Sequence, residues 1–110
     1  MPVKKISLEK FESYNFNRAP SFMLASEEYW FADDEANLIA TILKDKIDND
    51  WAYVIMALDE DGEYRAEDVV ASIETDMEAI RRINLKMTEI ARGGKIENDL
   101  YKSSLFDNSI

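Results

Sequence analysis

The 110-residue chain contains neither cysteine nor histidine. Without cysteine it can form no disulfide, no thiolate nucleophile and no Cys-ligated metal site. Without histidine it lacks the side chain that most often acts as a general base near neutral pH and most often ligates metals. Catalytic arrangements of the Ser-His-Asp and Cys-His kinds are therefore excluded.

Glycine is scarce, with three residues, Gly62, Gly93 and Gly94. They form neither the G-x-x-x-x-G-K-[ST] loop nor the G-x-G-x-x-G turn that cradles phosphate groups. No nucleophile, base or oxyanion-binding set can be named, so we expect no catalytic residues, no metal and no cofactor. Catalysis by paired carboxylates stays open as an alternative because acidic residues are abundant.

Long apolar segments are also absent. The longest uninterrupted apolar run, Trp51 to Leu58, has eight residues, whereas a helix that spans a bilayer needs about 20. The first residues, MPVKKIS, are basic but lack the apolar region and cleavage site of a secretory signal. We therefore expect a soluble, cytoplasmic protein that does not bind membranes.

Basic residues are scarce in the middle of the chain. Positions 21–80 hold 17 of the 23 acidic residues but only Lys44, Lys46 and Arg65, so this segment carries a net charge of −14. The whole chain carries −10. A field of this size repels phosphate, so we expect no direct binding of nucleic acid.

An apolar content of 46% is ordinary for a single folded domain of this length. Short apolar segments separated by turn-forming residues are typical of strands. Four such segments are Tyr29 to Ala32, Leu38 to Lys44, Trp51 to Leu58 and Glu63 to Ile73. Because their connections are short, neighbouring strands must be antiparallel, which predicts a four-stranded meander over residues 29–73.

The apolar pattern of these strands predicts how they are covered. The second and third strands are apolar at both odd and even positions, which indicates cover on both faces of the sheet. In the fourth segment Tyr64 holds one parity, whereas Val69 and Ile73 hold the other. A bulge or bend near Glu67 and Asp68 is therefore predicted.

Residues 75–92 are predicted to form an amphipathic helix across one face of the sheet. Thr75 followed by Glu78 is the pattern of a capping box at the start of a helix. The pair Gly93-Gly94 favours its termination. An apolar stripe between these signals consists of Ile80, Ile83, Met87 and Ile90.

Residues 1–28 are predicted to form short helical segments that cover the other face. Ser7 is expected to cap one segment and Pro20 to begin another. The tail, residues 95–110, has no firm periodicity, and its structure is left open. The predicted fold is therefore α+β, a single small acidic domain over residues 1–110.

Three acidic turns separate the predicted strands, and each alone is typical of a solvated turn. The sequence Asp59-Glu60-Asp61-Gly62 also resembles a calcium-binding loop. Aligning Gly62 with the invariant sixth position of that loop, however, places Ala57 at the first ligand position. The segments on either side are predicted strands, whereas a calcium-binding loop of this kind lies between helices. No metal site is predicted there.

Taken together, the acidic turns predict a recognition surface. In a meander the first and third turns lie at the same end of the sheet, and the acidic fourth strand adjoins them. The candidate binding residues are Asp33, Asp34, Glu35, Asp59, Glu60, Asp61, Glu63, Glu67 and Asp68. Asp45, Asp48 and Asp50 of the second turn lie at the other end of the sheet. Two acidic ends joined by an edge that contains Glu63, Glu67 and Asp68 could imitate the spacing of duplex phosphates; alternatively, the acids only keep an aromatic-rich chain soluble.

The leading hypothesis is a non-catalytic protein-binding domain that occupies a basic, nucleic-acid-binding surface on another protein. Phage or mobile-element inhibitors of restriction or CRISPR systems are one class that works in this way, and the analogy is one of charge and size alone. Two alternatives are a dimeric structural or accessory module, whose interface is an open sheet face, and an unrecognised carboxylate-dependent enzyme.

Overall fold

The computed structural model describes residues 3–18 and 25–93. Within these residues the elements are β1 (Lys4–Ile6), α1 (Leu8–Glu12), β2 (Ala25–Asp33), β3 (Leu38–Asp45), β4 (Trp51–Leu58), β5 (Tyr64–Ile73) and α2 (Asp76–Ala91). The strands form one antiparallel sheet in the order β1-β2-β3-β4-β5. The α+β class and the antiparallel meander are confirmed, but the sheet has five strands where four were predicted.

The additional strand is β1, which pairs with β2 and places Lys5 opposite Phe31. Val3, just before it, is buried in the core. Strand β2 begins at Ala25, four residues earlier than predicted from Tyr29. Part of the segment predicted as a helical cover therefore belongs to the sheet.

Helix α2 covers one face of the sheet. Its predicted N-cap is confirmed, since Thr75 Oγ accepts a hydrogen bond from Glu78 N at 3.1 Å. Gly93, with a φ of 94°, follows its last turn. Ile83 and Met87 are fully buried, in a cluster that also contains Val3, Phe31, Leu38, Ala40, Ile42, Tyr53, Ile55, Ile73 and Ala79.

Helix α1 and the residues after it cover the opposite face. The predicted cap is again present, since Ser7 Oγ accepts from Lys10 N at 3.1 Å. Phe11 is fully buried against Ala32, Ile39, Leu43, Val54, Met56 and Tyr64. The prediction that both faces are covered is confirmed. The helix predicted from Pro20 and the tail, residues 95–110, lie outside the described residues.

Strand β5 contains the predicted irregularity. Asp68 and Ala66 pair with consecutive residues of β4, which leaves Glu67 as the extra residue of a bulge. As a result Tyr64 packs in the cluster under α1, whereas Ile73 packs in the cluster under α2.

Candidate acidic interface

Two acidic turns lie side by side at one end of the sheet. One is the β2–β3 turn, residues 34–37, and the other is the β4–β5 turn, residues 59–63. Leu58 N, at the end of β4, donates to Asn37 O of the β2–β3 turn at 3.1 Å, so the β4–β5 turn begins next to the β2–β3 turn. Asn37 and Gly62, with φ values of 56° and 80°, provide the left-handed backbone that the turns require. We call these two turns the acidic sheet end.

Asp33 lies beneath this surface rather than on it. It is 1% exposed, and its Oδ1 accepts a hydrogen bond from Ala36 N at 3.1 Å. It closes β2 opposite Leu38. Its carboxylate therefore fixes the turn from inside and cannot contact a partner, so Asp33 is removed from the candidate binding residues.

Asp59 likewise holds its own turn. Its Oδ1 accepts from the backbone N of Asp61 and of Glu63, both at 2.9 Å, and its Oδ2 contacts Arg65 Nε. The hydrogen bond from Glu63 N, followed by that from Arg65, lowers the pKa of the Asp59 carboxyl. The ionised side chain is thus used mainly to shape the turn.

Asp34 is exposed, and its carboxylate is held by a hydrogen bond from a tyrosine hydroxyl. Tyr14 Oη donates to Asp34 Oδ1 at 2.6 Å. Burial, and then this hydrogen bond to a carboxylate, raises the pKa of Tyr14, so the phenol stays neutral. A neutral donor positions the carboxylate without cancelling its charge.

Glu63 connects the acidic sheet end to the segment after α1. Its Oε2 accepts from Asn17 Nδ2 at 3.0 Å, and its Oε1 pairs with Arg65 Nη2 at 3.1 Å. Nearby, Asn15 Nδ2 donates to Gly62 O at 3.1 Å. The segment after α1 therefore braces the β4–β5 turn.

Four exposed carboxylates remain at or next to the acidic sheet end. Within residues 3–18 and 25–93 none of them takes part in a salt bridge. They are Glu35, Glu60 and Asp61 on the two turns and Glu67 at the bulge of β5. None of the four is therefore neutralised by a direct ion pair within the described residues, although Asp59 and Glu63, and to a smaller extent Asp61, raise the pKa of the nearby Arg65 guanidinium.

Asp68 lies on the α2 side of β5, away from the turns. Its Oδ2 accepts from Tyr53 Oη at 2.8 Å. Burial, and then this bond, raises the pKa of Tyr53. Asp68 lines an open groove of about 280 Å³ between β5 and α2, together with Tyr53, Val70, Arg82, Leu85, Lys86 and Glu89.

The remaining acidic turn, between β3 and β4, lies at the opposite end of the sheet. Asp45 Oδ1 accepts from Ile47 N at 2.7 Å and from Asp48 N at 2.9 Å. The hydrogen bond from Asp48 N, and to a smaller extent that from Ile47 N, lowers the pKa of the Asp45 carboxyl. The acidic residues thus divide between the two ends of the sheet.

Tyrosine–aspartate pairs are a feature that sequence reasoning missed. Besides the pairs of Tyr14 and Tyr53, Tyr29 Oη donates to Asp76 Oδ2 at 3.0 Å. The partners of these three pairs are 15 to 47 residues apart in sequence, so no local pattern could have identified them. Each pair fixes a carboxylate with an uncharged donor.

The described residues show neither of two other common signs of function, a metal site and a membrane-spanning helix. They contain no group of three or more Asp or Glu side chains arranged to hold a metal ion. Over the same residues, none of the helices combines the length and apolar character needed to cross a membrane. Comparisons of the chain with protein-family models, curated proteins and solved structures find no match.

Proposed function

We propose that this protein is a small non-catalytic binding protein whose acidic sheet end and adjoining Glu67 occupy a basic, nucleic-acid-binding surface on another protein. The partner would belong to a nucleic-acid-handling complex in the cytoplasm, as for phage or mobile-element inhibitors of restriction or CRISPR systems. The protein itself would bind neither nucleic acid nor membrane.

The observation that supports this proposal most is the way the carboxylates at this end are held. Tyr14 positions the Asp34 carboxylate with an uncharged donor and leaves its charge intact. Asn17 and backbone N–H groups fix Glu63 and Asp59, which share the single cation Arg65. A fixed array of negative charges loses little freedom on binding, and its summed field accelerates encounter with a basic surface. These are the properties required of a substitute for duplex phosphates.

The distribution of charge also favours recognition over solubility alone. Charges that only maintain solubility work best when dispersed among charges of the other sign. Here Glu35, Glu60 and Asp61 lie on two neighbouring turns, and Glu67 extends the acidic surface along β5. Such clustering adds repulsion, which a functional surface would justify.

The test compares two variants that remove the same number of charges. The sheet-end variant carries Glu35→Gln, Glu60→Gln, Asp61→Asn and Glu67→Gln. The far-end control variant carries Glu28→Gln, Asp48→Asn, Asp50→Asn and Glu74→Gln. The wild-type protein is first used to capture nucleic-acid-binding proteins from a nuclease-treated cell lysate.

Each captured protein is then purified, and labelled duplex DNA bound to it is displaced with increasing amounts of wild type or variant. We expect the sheet-end variant to displace DNA at least about tenfold more weakly than wild type, and the far-end control to lose about threefold or less. The difference should shrink between about 50 mM and about 500 mM salt. Equal displacement by both variants, or simultaneous binding of DNA and wild-type protein, would refute the proposed function.

A further inference from the structure

We propose that the open edge of β5 binds a short extended segment of the basic partner as an added strand. The segment would lie beside the groove between β5 and α2, an inference that rests on the proposed function for the charge of the partner. It adds a second contact surface, formed by backbone groups, to the charged one at the acidic sheet end.

The outer edge of β5 already pairs with an extended segment at its start. β5 is the last strand of the sheet, and unpaired N–H and C=O groups at such an edge are a template for another strand. Tyr64 N donates to Asn15 O at 2.8 Å, and Phe16 forms a parallel bridge with Tyr64. Beyond Arg65 no other described segment pairs with this edge.

The register of β5 identifies a backbone donor that points outward. Alternate residues of a strand direct their peptide groups to opposite sides. Val69 pairs with Val54 and Tyr64 pairs with Leu58. Val54 and Leu58 are an even number of residues apart on β4, so their peptide groups point to the same side of that strand. Their partners on β5 are therefore oriented alike, and the N–H of Val69 points to the outer side, as that of Tyr64 does when it donates to Asn15 O.

Apolar side chains flank this edge on both sides of the sheet. Val69 is 61% exposed on the side covered by α1. On the other side Leu85 is 54% exposed and lines the groove with Val70. An added strand would place alternate side chains next to these two apolar positions.

Charge favours a basic segment over a second copy of this chain. Arg82 and Lys86 in the groove are paired with Glu78 and Glu89, whereas Glu67 on the edge has no salt bridge to a described residue. From Glu63 to the end of β5 there is one basic residue, Arg65. The acidic residues over the same stretch are Glu63, Glu67 and Asp68. Pairing two copies of β5 would bring these like charges together.

The bulges limit the length of the segment that can bind. One lies at Glu67, and a second irregularity precedes Ile73, where Ser72 has a φ of 60°. Bulges interrupt a regular ladder and protect an edge from long pairings. A short strand centred on Val69 fits between them.

The probe for this site is a fluorescent peptide of about eight residues with alternating Lys and Val, the length and pattern of an ordinary strand. A matched peptide, N-methylated at alternate residues, keeps the charge but cannot form the ladder. Val69→Pro removes the outward N–H, which an edge strand tolerates, and Val69→Thr keeps it with the same branched shape. Leu85→Gln alters the groove, and Met77→Gln is its control on an exposed part of α2.

Fluorescence anisotropy should give at least about tenfold weaker binding for Val69→Pro and about threefold or less for Val69→Thr, because the lost outward donor is the difference between them. The N-methylated peptide should bind wild type at least about tenfold more weakly. Leu85→Gln should weaken binding more than Met77→Gln. Equal affinities of Val69→Pro and Val69→Thr would overturn the inference.

Amide hydrogen exchange of the wild-type protein gives a measurement that does not depend on the folding of any variant. The peptide should protect the amides of Ala66 and Val69, and unchanged protection would overturn the inference. Dimerisation of wild type that Val69→Pro abolishes would replace the proposed occupant with a second copy.

The same variants separate the failure of this inference from the failure of the proposed function. Equal peptide binding by Val69→Pro and wild type, with DNA displacement still lost in the sheet-end variant, would remove only the strand site. Full DNA displacement by the sheet-end variant would remove the function, whatever the peptide does.

Discussion

Tyr53 illustrates how single residues combine structure and charge in this protein. Its side chain is 4% exposed, and its hydroxyl donates to Asp68. Burial, and then this hydrogen bond, raises the pKa of Tyr53, whereas an unfolded tyrosine titrates near pH 10. A raised pKa contributes stability that is present below the unfolded pKa and is lost as the pH rises through the folded one.

We therefore expect the unfolding free energy of wild type to fall steeply above about pH 10 and that of Tyr53→Phe to fall less. At pH 7 the variant should be less stable by about 1 kcal/mol, since Asp68 loses a donor. Urea unfolding at pH 7 and across the alkaline range measures both effects. Parallel alkaline declines would mean that Tyr53 is not protected from titration. The unfolding free energy of Tyr53→Phe should still fall somewhat at alkaline pH, because burial and the hydrogen bond to Asp34 also raise the pKa of Tyr14.

Acidic residues of the same type have different roles within one turn. Asp33 is buried and Asp34 is exposed, although they are adjacent. The abundance of Asp correctly predicted turns, because its side chain accepts nearby backbone N–H groups. It could not predict which carboxylate faces inward, because burial depends on the strands packed around Asp33 rather than on its neighbours in sequence.

Helix α2 is the element on which the packing of one sheet face depends. Ile83 is fully buried, so Ile83→Ala should reduce the unfolding free energy by about 2–5 kcal/mol. Leu85→Ala, at an exposed position of the same helix, should change it by about 0.5 kcal/mol or less.

Thr75→Ala should reduce the unfolding free energy by about 1 kcal/mol through the lost helix cap, and Thr75→Ser should restore most of it. Urea unfolding of all four variants tests this ranking; an Ile83→Ala protein as stable as Leu85→Ala would contradict the docking of α2.

Elements were predicted from sequence where packing leaves a periodic pattern. Strand β4 matches its predicted bounds, and the bulge at Glu67 follows from a change of apolar parity within β5. Strand β1 was missed because it has three residues, two of them lysines, and its partner lies far along the chain. The start of β2 was missed because it contains polar residues: Ser26 and Glu27 are held by pairing with β3, and Glu28 is the unpaired residue of a bulge.

On the scale of the whole molecule, the described residues leave the β5 edge unpaired beyond Arg65 and place the acidic turns at the ends of the sheet. Apolar clusters packed under α1 and α2 lie on both of its faces. The acidic turns are placed at the ends, and one edge, β5, carries Glu67. The charge that dominates the composition is thus concentrated where the fold can meet a partner.

This concentration of charge should make stability depend on salt. With a net charge of −10, repulsion destabilises the compact state, and salt shortens the screening length from about 30 Å at 0.01 M to about 8 Å at 0.15 M. Sodium chloride should therefore raise the melting temperature of wild type. Each like-charge contact costs a few tenths of a kcal/mol, so the sheet-end variant should gain about 1 kcal/mol at low salt, or about 4–8 °C for a domain of this size.

The far-end control variant removes the same net charge, so any larger gain in the sheet-end variant reports how closely Glu35, Glu60, Asp61 and Glu67 are placed. We expect the sheet-end variant to be the more stable of the two at about 10 mM salt and their melting temperatures to converge near 500 mM, where screening reaches only about 4 Å. Differential scanning calorimetry measures both. A melting temperature of wild type that falls with added salt would mean that attractive pairs such as that of Asp59 and Arg65 outweigh the repulsion, and the acidic sheet end would then hold no excess charge to offer a basic partner.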